Sequence, residues 1–385
     1  MKSGPEIALA FPRGGHQEVL IEGVLAYAAD RNLDWSFVAA LESPLLSIKD
    51  LARWRGDGIL AAISTREEAE CALTINTPLV NITSSFPDLP TPACIVDNRA
   101  IGRMAADHLV SKGFRNLLFY GLRDVNFSSE RQAGFEEVLD EAGYQHDCFL
   151  DYPSYSDCDG DWLQKNHGLA EWLQGRKTPL GMFAVSDYRA RAALDACRAA
   201  GLKVPEDIAV VGVDNEELVC SHVRPTLSSI ARNDRLRGYR AAELLHRLML
   251  GETVPRSTSI PPLEVVERDS TQIFAVSDAR LRDAMEFLHR QMHEPDFTID
   301  AVARHANVSR RWLEYAFRDS LRETPYQYLR RQRLARARWL LVEKPNQTIQ
   351  RVALATGFTS AKQFAFTFKQ EVGMSPREYR RTARS

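Results

Sequence analysis

Basic side chains are concentrated toward the end of this 385-residue chain, where they could bind a polyanion. Residues 273–385 hold 21 of the 49 Lys and Arg but only 12 of the 51 Asp and Glu, so the preceding part is acidic. The formal net charge of the whole chain is only −2. Such segregation indicates a nucleic-acid-binding segment joined to a part that does not bind nucleic acid.

Few other residue groups have a chemically useful spacing. His289 and His293 stand four apart, which suits a metal on a helix, although an exposed helical pair is the commoner explanation. The run SDCDGDW, 156–162, alternates aspartates but lacks the twelve-residue spacing and final glutamate of a calcium loop. No P-loop, HExxH, GxSxG or dinucleotide fingerprint occurs. We therefore expect no metal, no cofactor and no enzyme activity.

One pattern occurs twice in the basic segment. Thr298 and Ile299 match Thr348 and Ile349 at an offset of 50 residues. After one extra residue the offset becomes 51, and further pairs match: Leu313/Phe364, Phe317/Phe368, Pro325/Pro376 and Tyr328/Tyr379. A repeated unit of this length indicates one supersecondary module used twice.

Each copy predicts two helices joined by a tight turn. Gly357 supplies such a turn, and Ser309 and Thr359 are expected to cap the second helices. Apolar residues four apart in those helices face inward. Pro325 and Pro376 open the helices that follow, where a missing N–H costs nothing. The sequence therefore predicts a helix-turn-helix at about 298–321 and another at about 348–371.

The C-terminal run GFTSAKQFAFTFKQEVGMSPREYR resembles the most specific motif of the AraC-type DNA-binding domain. The resemblance covers about 110 residues and implies an all-α domain over 277–385. In that family the second helix of each unit lies in the major groove of double-stranded DNA, so exposed residues in its first half are base-contact candidates. They are Arg310, Arg311, Glu314 and Tyr315 in the first unit, and Ala361, Lys362, Ala365 and Phe366 in the second.

Two points about this segment remain open. Phe366 either meets a thymine methyl group or is an aromatic residue at the edge of the core. The helix between the two units carries five arginines, of which some are expected to contact phosphate, although a solvated face explains any single one. These are Arg330, Arg331, Arg333, Arg336 and Arg338.

Short apolar strands alternate with helical stretches in the acidic part. The strands include IALAF, DGILAAI, NLLFYG, GMFAVS and DIAVVGV. Strand–helix alternation indicates parallel sheets with helices on both faces, and more than ten elements favour two lobes. We therefore predict an α/β part with two lobes, followed by the all-α domain.

The run AVSDYRARAALDACRAAGLKVPEDIAVVGVDNEE, with PTLSSI after it, resembles the sensor core of lactose-repressor-type regulators. That core shares its fold with periplasmic sugar-binding proteins. The resemblance implies a two-lobed ligand-sensor domain over 1–270 and leaves a short linker at 271–276. Those repressors carry their DNA-binding domain before the core, whereas here it follows.

The second resemblance also implies the ligand residues, because in such sheets ligands lie at the carboxyl ends of strands. Arg131 is expected to fork onto hydroxyls, Trp162 to stack on a ring, and Asp187 and Asp214 to accept hydrogen bonds. For Asp187 a role as cap of the following helix is equally open. His16, Gln17 and Phe86 are candidates from their positions after strands alone.

Together the two resemblances imply a sugar-responsive transcription regulator. A pentose is expected as effector, xylose first, with another sugar or a nucleobase as the alternative. Expected partners are operator DNA and a second copy in a homodimer, with RNA polymerase a further candidate. The cysteines form no CxxC pair and no opening apolar run is long enough for export, so a cytoplasmic protein is expected. A transport protein and a DNA-repair enzyme are the weaker alternatives.

Overall fold

The computed structural model describes residues 4–11, 16–38, 46–152, 167–344 and 346–384. Twelve β-strands occur among them. In chain order they are β1 (Glu6–Ala10), β2 (Ser36–Val38), β3 (Gly58–Ala61), β4 (Leu79–Asn81), β5 (Ala93–Val96), β6 (Asn116–Leu122), β7 (Gln145–Asp151), β8 (Leu180–Ala184), β9 (Ile208–Val213), β10 (Ser228–Ile230), β11 (Ser257–Ile260) and β12 (Val265–Val266).

The strands form two sheets, and each sheet is the centre of one lobe. Lobe one has the strand order β11-β5-β4-β3-β1-β2, with every neighbouring pair parallel. Lobe two has the order β12-β10-β9-β8-β6-β7, in which only β12 runs antiparallel to its neighbour. The central strands β3, β8 and β9 are buried along their whole length, as expected for parallel strands covered on both faces. The predicted two-lobed α/β class is confirmed.

Eight helices belong to this sensor part: α1 (His16–Asp30), α2 (Arg66–Thr74), α3 (Asn98–Ser111), α4 (Asn126–Ala142), α5 (His167–Leu173), α6 (Asp187–Ala199), α7 (Glu217–Cys220) and α8 (Asp234–Met249). Helices α1 and α8 cover one face of the lobe-one sheet, and α2 covers the other. In lobe two, α3 and α4 lie on one face and α5 and α6 on the other.

Within the described residues the chain passes between the lobes three times: between β5 and α3, between β10 and α8, and between β11 and β12. The lobes are therefore connected by three short segments beside the cleft that separates them. This connectivity allows the lobes to rotate about the segments as hinges.

The remaining seven helices form the reader domain: α9 (Ala279–Gln291), α10 (Ile299–His305), α11 (Arg310–Leu321), α12 (Pro325–Glu343), α13 (Ile349–Ala355), α14 (Ala361–Val372) and α15 (Pro376–Arg384). They pack into two cores, with α12 contributing to both. Leu313, Phe317 and Tyr328 are buried in the first core, and Phe364 and Phe368 in the second. The predicted all-α domain is confirmed.

The proposed linker at 271–276 is packed at both ends. Thr271 is fully buried in the sensor, where its hydroxyl lies 2.7 Å from that of Ser228. Phe274 and Val276 are buried in the first core of the reader domain. The proposed division of the chain therefore falls in a segment that belongs to both domains. None of the described helices has the length and apolar character needed to cross a membrane.

Candidate functional sites

A cavity of about 220 Å3 lies between the two lobes. Its walls come from residues that follow strands in both sheets, which is where open α/β sheets bind ligands. Phe11, Ala62, Ile82, Val96 and Phe127 supply apolar surface. The polar lining consists of Gln17, Ser64, Thr83, Ser84, Ser85, Asn98, Arg131, Ser186, Asp214, Arg232 and Arg237.

Arg131 lies on α4 and is 4% exposed, with its guanidinium in the cavity wall. Its Nε donates to Asn98 Oδ1 at 3.0 Å, and Nη1 donates to the carbonyl oxygen of Val185. Burial lowers the pKa of Arg131 to about 10, so the group is still charged at neutral pH. The guanidinium carbon also lies over the ring of Phe127, 5.2 Å from the ring centroid. Held on several sides, Arg131 presents a fixed cation to the cavity.

Asp214 faces Arg131 from the loop after β9, in a backbone conformation with a positive φ of 108°. Its Oδ1 accepts from Arg232 Nη1 at 2.9 Å. The same guanidinium also binds both oxygens of Asp234, at 2.9 and 3.1 Å. Burial opposes the charge of Arg232, but the carboxylates of Asp234 and Asp214 outweigh that effect and raise its pKa. Arg232 stands in the second interlobe crossing, so this network joins the cavity to a hinge.

A third guanidinium, that of Arg237, completes the cationic side of the cavity. It is 6% exposed, donates to Asp234 at 2.7 Å and reaches the carbonyl oxygen of Ile82 at 3.3 Å. Its Nε is buried without a hydrogen-bond partner among the described residues. The pocket therefore offers strong directional donors from guanidinium groups that carboxylates and a carbonyl oxygen hold in place.

Asp187 does not line the cavity, contrary to the prediction. It is the first residue of α6, and its side chain is fully buried behind the cleft. Its oxygens accept from Ser229 Oγ at 2.6 Å and from the backbone N–H of Glu216 at 2.8 Å. The helix cap is Ser186, whose hydroxyl accepts from the N–H of Arg189. Asp187 therefore fixes the loop after β9 that carries Asp214.

Replacing Asp187 with asparagine is expected to flatten the pH dependence of stability. Burial, followed by the charge of Asp214, raises the pKa of Asp187 from 3.8 to about 7. The folded state therefore binds the proton more tightly, and this group makes the protein less stable as pH rises from about 4 to 7. A tenfold change in proton affinity is about 1.4 kcal/mol, so the loss is on the order of 4 kcal/mol.

Thermal unfolding followed between pH 5 and pH 8 measures this effect. The midpoint temperature of Asp187→Asn should rise by several degrees relative to that of the wild type toward pH 8, because the amide carries no charge to bury. The amide can still form hydrogen bonds with Ser229 and with the backbone of Glu216. Asp195→Asn, at an exposed position on α6, is the matched control. A constant difference between Asp187→Asn and wild type at all pH values would contradict the assignment.

The other predicted cavity residues have mixed outcomes. Gln17 lines the cavity. Phe86 is half-buried against the α2 side of lobe one instead, packed with its apolar core. His16 begins α1, and its side chain lies outside the described residues, as does the whole of Trp162. Roles for His16 and Trp162 therefore remain predictions.

Sequence reasoning missed the amide and hydroxyl pairs that join the lobes at the cavity. Ser84 of lobe one accepts from Asn98 Nδ2 at 3.1 Å through its hydroxyl. Its carbonyl oxygen accepts from Asn126 Nδ2 at 2.7 Å. Asn98 also orients Arg131, so one lobe-two amide contacts both lobe one and the central cation. The only signal in the sequence was that these residues follow strands.

Both predicted helix-turn-helix units are present in the reader domain. Gly357 has a φ of 81° in the second turn, where Asn307 has a φ of 52° in the first. Ser309 caps α11 as predicted, its hydroxyl accepting from the N–H of Trp312. The cap of α14 is Ser360 rather than Thr359. Thr359 instead donates to the side-chain oxygen of Gln363 at 2.8 Å.

The eight DNA-contact candidates occupy equivalent positions on the reader helices α11 and α14. Arg311 and Lys362 correspond at the offset of 51 residues, and both are exposed. Tyr315 and Phe366 also correspond, and they are 69% and 64% exposed. Phe366 lies outside the buried cluster of the second core, which removes the edge-of-core alternative. Among these eight candidates, each reader helix therefore carries one basic side chain without an ion pair in the described structure and one exposed aromatic ring.

Arg310 differs from Arg311, since two carboxylates already hold it. It lies 3.0 Å from Asp300 and 3.3 Å from Glu314. Ala361 and Ala365 take the equivalent places of Arg310 and Glu314 in α14. The first reader helix is therefore more highly charged than the second, whose candidates include a single charged residue, Lys362.

The five arginines of α12 are half-buried, and four of them contact other parts of the protein. Arg330 pairs with Glu371 of α14 at 2.7 Å, and Arg331 pairs with Glu323 at 2.6 Å. Arg333 donates to the carbonyl oxygens of Met292 and Glu294.

The last two arginines of this helix differ from the others. Arg336 faces Glu264 of the sensor at 3.7 Å. Arg338 packs inside, with a buried Nε that has no hydrogen-bond partner among the described residues. These contacts give the arginines a structural role, and phosphate contacts from this helix stay a prediction.

Comparison with known proteins agrees with this architecture. Residues 106–271 match the family described as periplasmic binding protein-like domain, and residues 302–382 match a helix-turn-helix domain family. The xylose operon regulatory protein of Escherichia coli (strain K12) is 30% identical over 94% of this chain and 93% of its own. That of Haemophilus influenzae is 32% identical over 84% of each. The structure of a xylose-binding transcription activator covers 98% of both chains with a TM-score of 0.62 and 28% identity.

A two-lobed sensor followed by a double helix-turn-helix domain defines a DNA-binding transcription regulator. Within that class the relatives match both domains in the same order and over nearly the whole chain. The chain belongs to the family of xylose operon regulatory proteins.

Proposed function

We propose that this protein is a sugar-responsive transcription regulator whose effector occupies the cavity between the lobes. The observation that carries the proposal is the arrangement of Arg131, Arg232 and Asp214 at the carboxyl ends of the lobe-two strands. A fixed guanidinium donates to neighbouring hydroxyls, and a carboxylate accepts from others, as sugar recognition requires. Phe11 and Phe127 offer apolar surface to a C–H face.

D-Xylose is the first candidate among sugars. The cavity of about 220 Å3 is small beside the roughly 300–1,000 Å3 of pockets for drug-sized ligands, which favours a monosaccharide. The relatives are named for the xylose operon, and one solved relative is titled a xylose-binding activator. Another pentose, a hexose or a nucleobase is the alternative effector.

For the DNA side, we propose that the exposed first halves of α11 and α14 read bases in successive major grooves. Arg311 would donate to guanine, and Phe366 would contact thymine methyl groups. Sites one helical turn apart are expected, about 34 Å. A homodimer working in the cytoplasm would bind two such sites with gain in effective concentration, and RNA polymerase is a further proposed partner.

Effector binding changes DNA binding only to the extent that the effector prefers one arrangement of the lobes. Filling the cavity would replace the direct Ser84 contacts and the Asp214–Arg232 ion pair with contacts to the sugar. Since Arg232 stands in a crossing segment, that exchange would act on the hinge itself.

Titration calorimetry with a panel of pentoses, hexoses and nucleobases tests the effector. D-Xylose is expected to bind most tightly, and at a hundredfold excess over its Kd to stabilise the protein by about 2.7 kcal/mol. Selection of duplex DNA by the full chain, with and without that sugar, tests the response. Tighter binding of a nucleobase than of any sugar would replace the sugar proposal while leaving the regulator class intact.

A further inference from the structure

The sensor contacts the end of the first reader helix directly. Arg115, just before β6 in lobe two, donates from Nη2 to the carbonyl oxygens of Asp319 and Ser320, at 2.6 and 2.5 Å. These carbonyls lie in the last turn of α11, where a helix has no internal donors to offer them. A cation there also interacts favourably with the helix dipole. Arg115 therefore caps α11 from another domain.

A second contact lies at the same place. The ring of Tyr144, which is 8% exposed in lobe two, has the guanidinium of Arg115 at 5.3 Å. The guanidinium of Arg322, the residue directly after α11, lies at the same distance of 5.3 Å from that ring. An aromatic ring thus attracts two cations, one from the sensor and one from the reader domain.

The internal repeat provides a comparison for Arg322. Arg322 has a φ of 60°, in the left-handed region where glycine is preferred at the end of a helix. At the equivalent position of the second unit stands Gly373, with a φ of 81° and open space around it. The first unit therefore has an arginine in a strained left-handed backbone conformation, whereas the second unit has a glycine, which adopts that conformation without strain. Tyr144 contacts the arginine of the first unit.

Neighbouring contacts hold the same surfaces together. Lys112, three residues before Arg115, is buried and pairs with Glu267 at 2.6 Å. Its carbonyl oxygen accepts from the N–H of Ala275 at 2.7 Å. Its Nζ also lies 4.7 Å from the ring of Phe274, which belongs to the first reader core.

We propose that Arg115, Tyr144 and Arg322 form a clamp that fixes the first reader helix to lobe two. The clamp holds α11 at its C-terminal end and leaves the first half of the helix, with Arg311 and Tyr315, free to face DNA. Lobe two and the first unit then move together when the lobes rotate. Its regulatory consequence rests on the proposed function, whereas the clamp itself rests on the contacts alone.

Hydrogen exchange of the full chain, without ligand, tests the clamp itself. Arg115→Met should raise exchange about tenfold in peptides covering 317–323, because the last turn of α11 loses its external donor. Arg322→Gly should raise exchange in the same peptides and near Tyr144. By local helix preference alone, glycine would strengthen this helix end, so faster exchange identifies lost docking. Arg103→Met, which removes a half-buried arginine paired with Glu137, should change nothing at α11.

DNA binding by the same variants, with and without D-xylose, tests the consequence. If the wild type responds to the sugar, the clamp variants should lose most of that response while the control keeps it. If the wild type does not respond, the proposed effector is wrong, and the exchange measurement still decides the clamp. Unchanged exchange in 317–323 in both Arg115→Met and Arg322→Gly would overturn the proposal.

Discussion

Arg131→Met is expected to weaken effector binding by about a hundredfold or more. A buried hydrogen bond to a charged group contributes roughly 1.5–3 kcal/mol, and its removal also leaves hydroxyls of the sugar unpaired. Arg131 is 4% exposed and lines the cavity, and a methionine at this position has no N–H group to replace the guanidinium donors. Calorimetry with D-xylose measures the loss.

Two further variants show whether the loss is specific to the guanidinium of Arg131. Gln132→Ala alters the next residue of α4, whose amide pairs with Glu136 outside the cavity, and should bind the sugar normally. Arg131→Lys keeps the charge but loses the fork that reaches both Asn98 and Val185, so its affinity should fall between those of wild type and Arg131→Met. Sugar affinity of Arg131→Met equal to that of wild type would exclude this cavity as the effector site.

The local features of the reader domain were predictable because short-range rules determine them. A hydroxyl before an apolar run caps a helix, and Pro325 opens α12 at the position where proline fits. The error at Thr359 has the same origin, because Ser360 is an equally good cap one residue later. Local rules place such an end only to within a residue or two.

The cleft was predictable only in outline. Strand–helix alternation placed it at the carboxyl ends of the strands, where Gln17 was a candidate by position. The resemblance to lactose-repressor-type regulators added Arg131 and Asp214, and all three line the cavity. Alternation does not reveal which way a side chain faces. Asp187 turns behind the sheet because Gly212 leaves room there; a Cβ at Gly212 would lie 2.3 Å from the Asp187 carboxylate.

Long-range partners explain the remaining differences. The α12 arginines look like a DNA-facing row in the sequence, but Glu371 and Glu264 come from distant segments to meet Arg330 and Arg336. Arg232 was missed for a related reason, since its importance comes from Asp214, 18 residues earlier in the chain. Charge counts alone do not distinguish a solvent-facing arginine from a paired one.

Arg311→Ala is expected to reduce operator selectivity by about ten- to a hundredfold. A guanidinium that donates twice to guanine contributes roughly 1–3 kcal/mol of discrimination against the wrong base. Arg311 is exposed on the first half of α11. Anisotropy titrations with the selected duplex and with duplexes changed at single base pairs would locate the position at which discrimination is lost.

Arg310→Ala is the matched comparison, because it removes the same charge from the adjacent residue. Arg310 is already held by Asp300 and Glu314, so its loss should weaken binding by a smaller and uniform factor across all duplexes. The ratio between selected and altered duplexes then separates base reading from general attraction to phosphate. Equal loss of selectivity in both variants would mean that Arg310 leaves its carboxylates on DNA. Unchanged selectivity in Arg311→Ala would remove Arg311 from the reading surface and shift the recognition to Tyr315 and its neighbours.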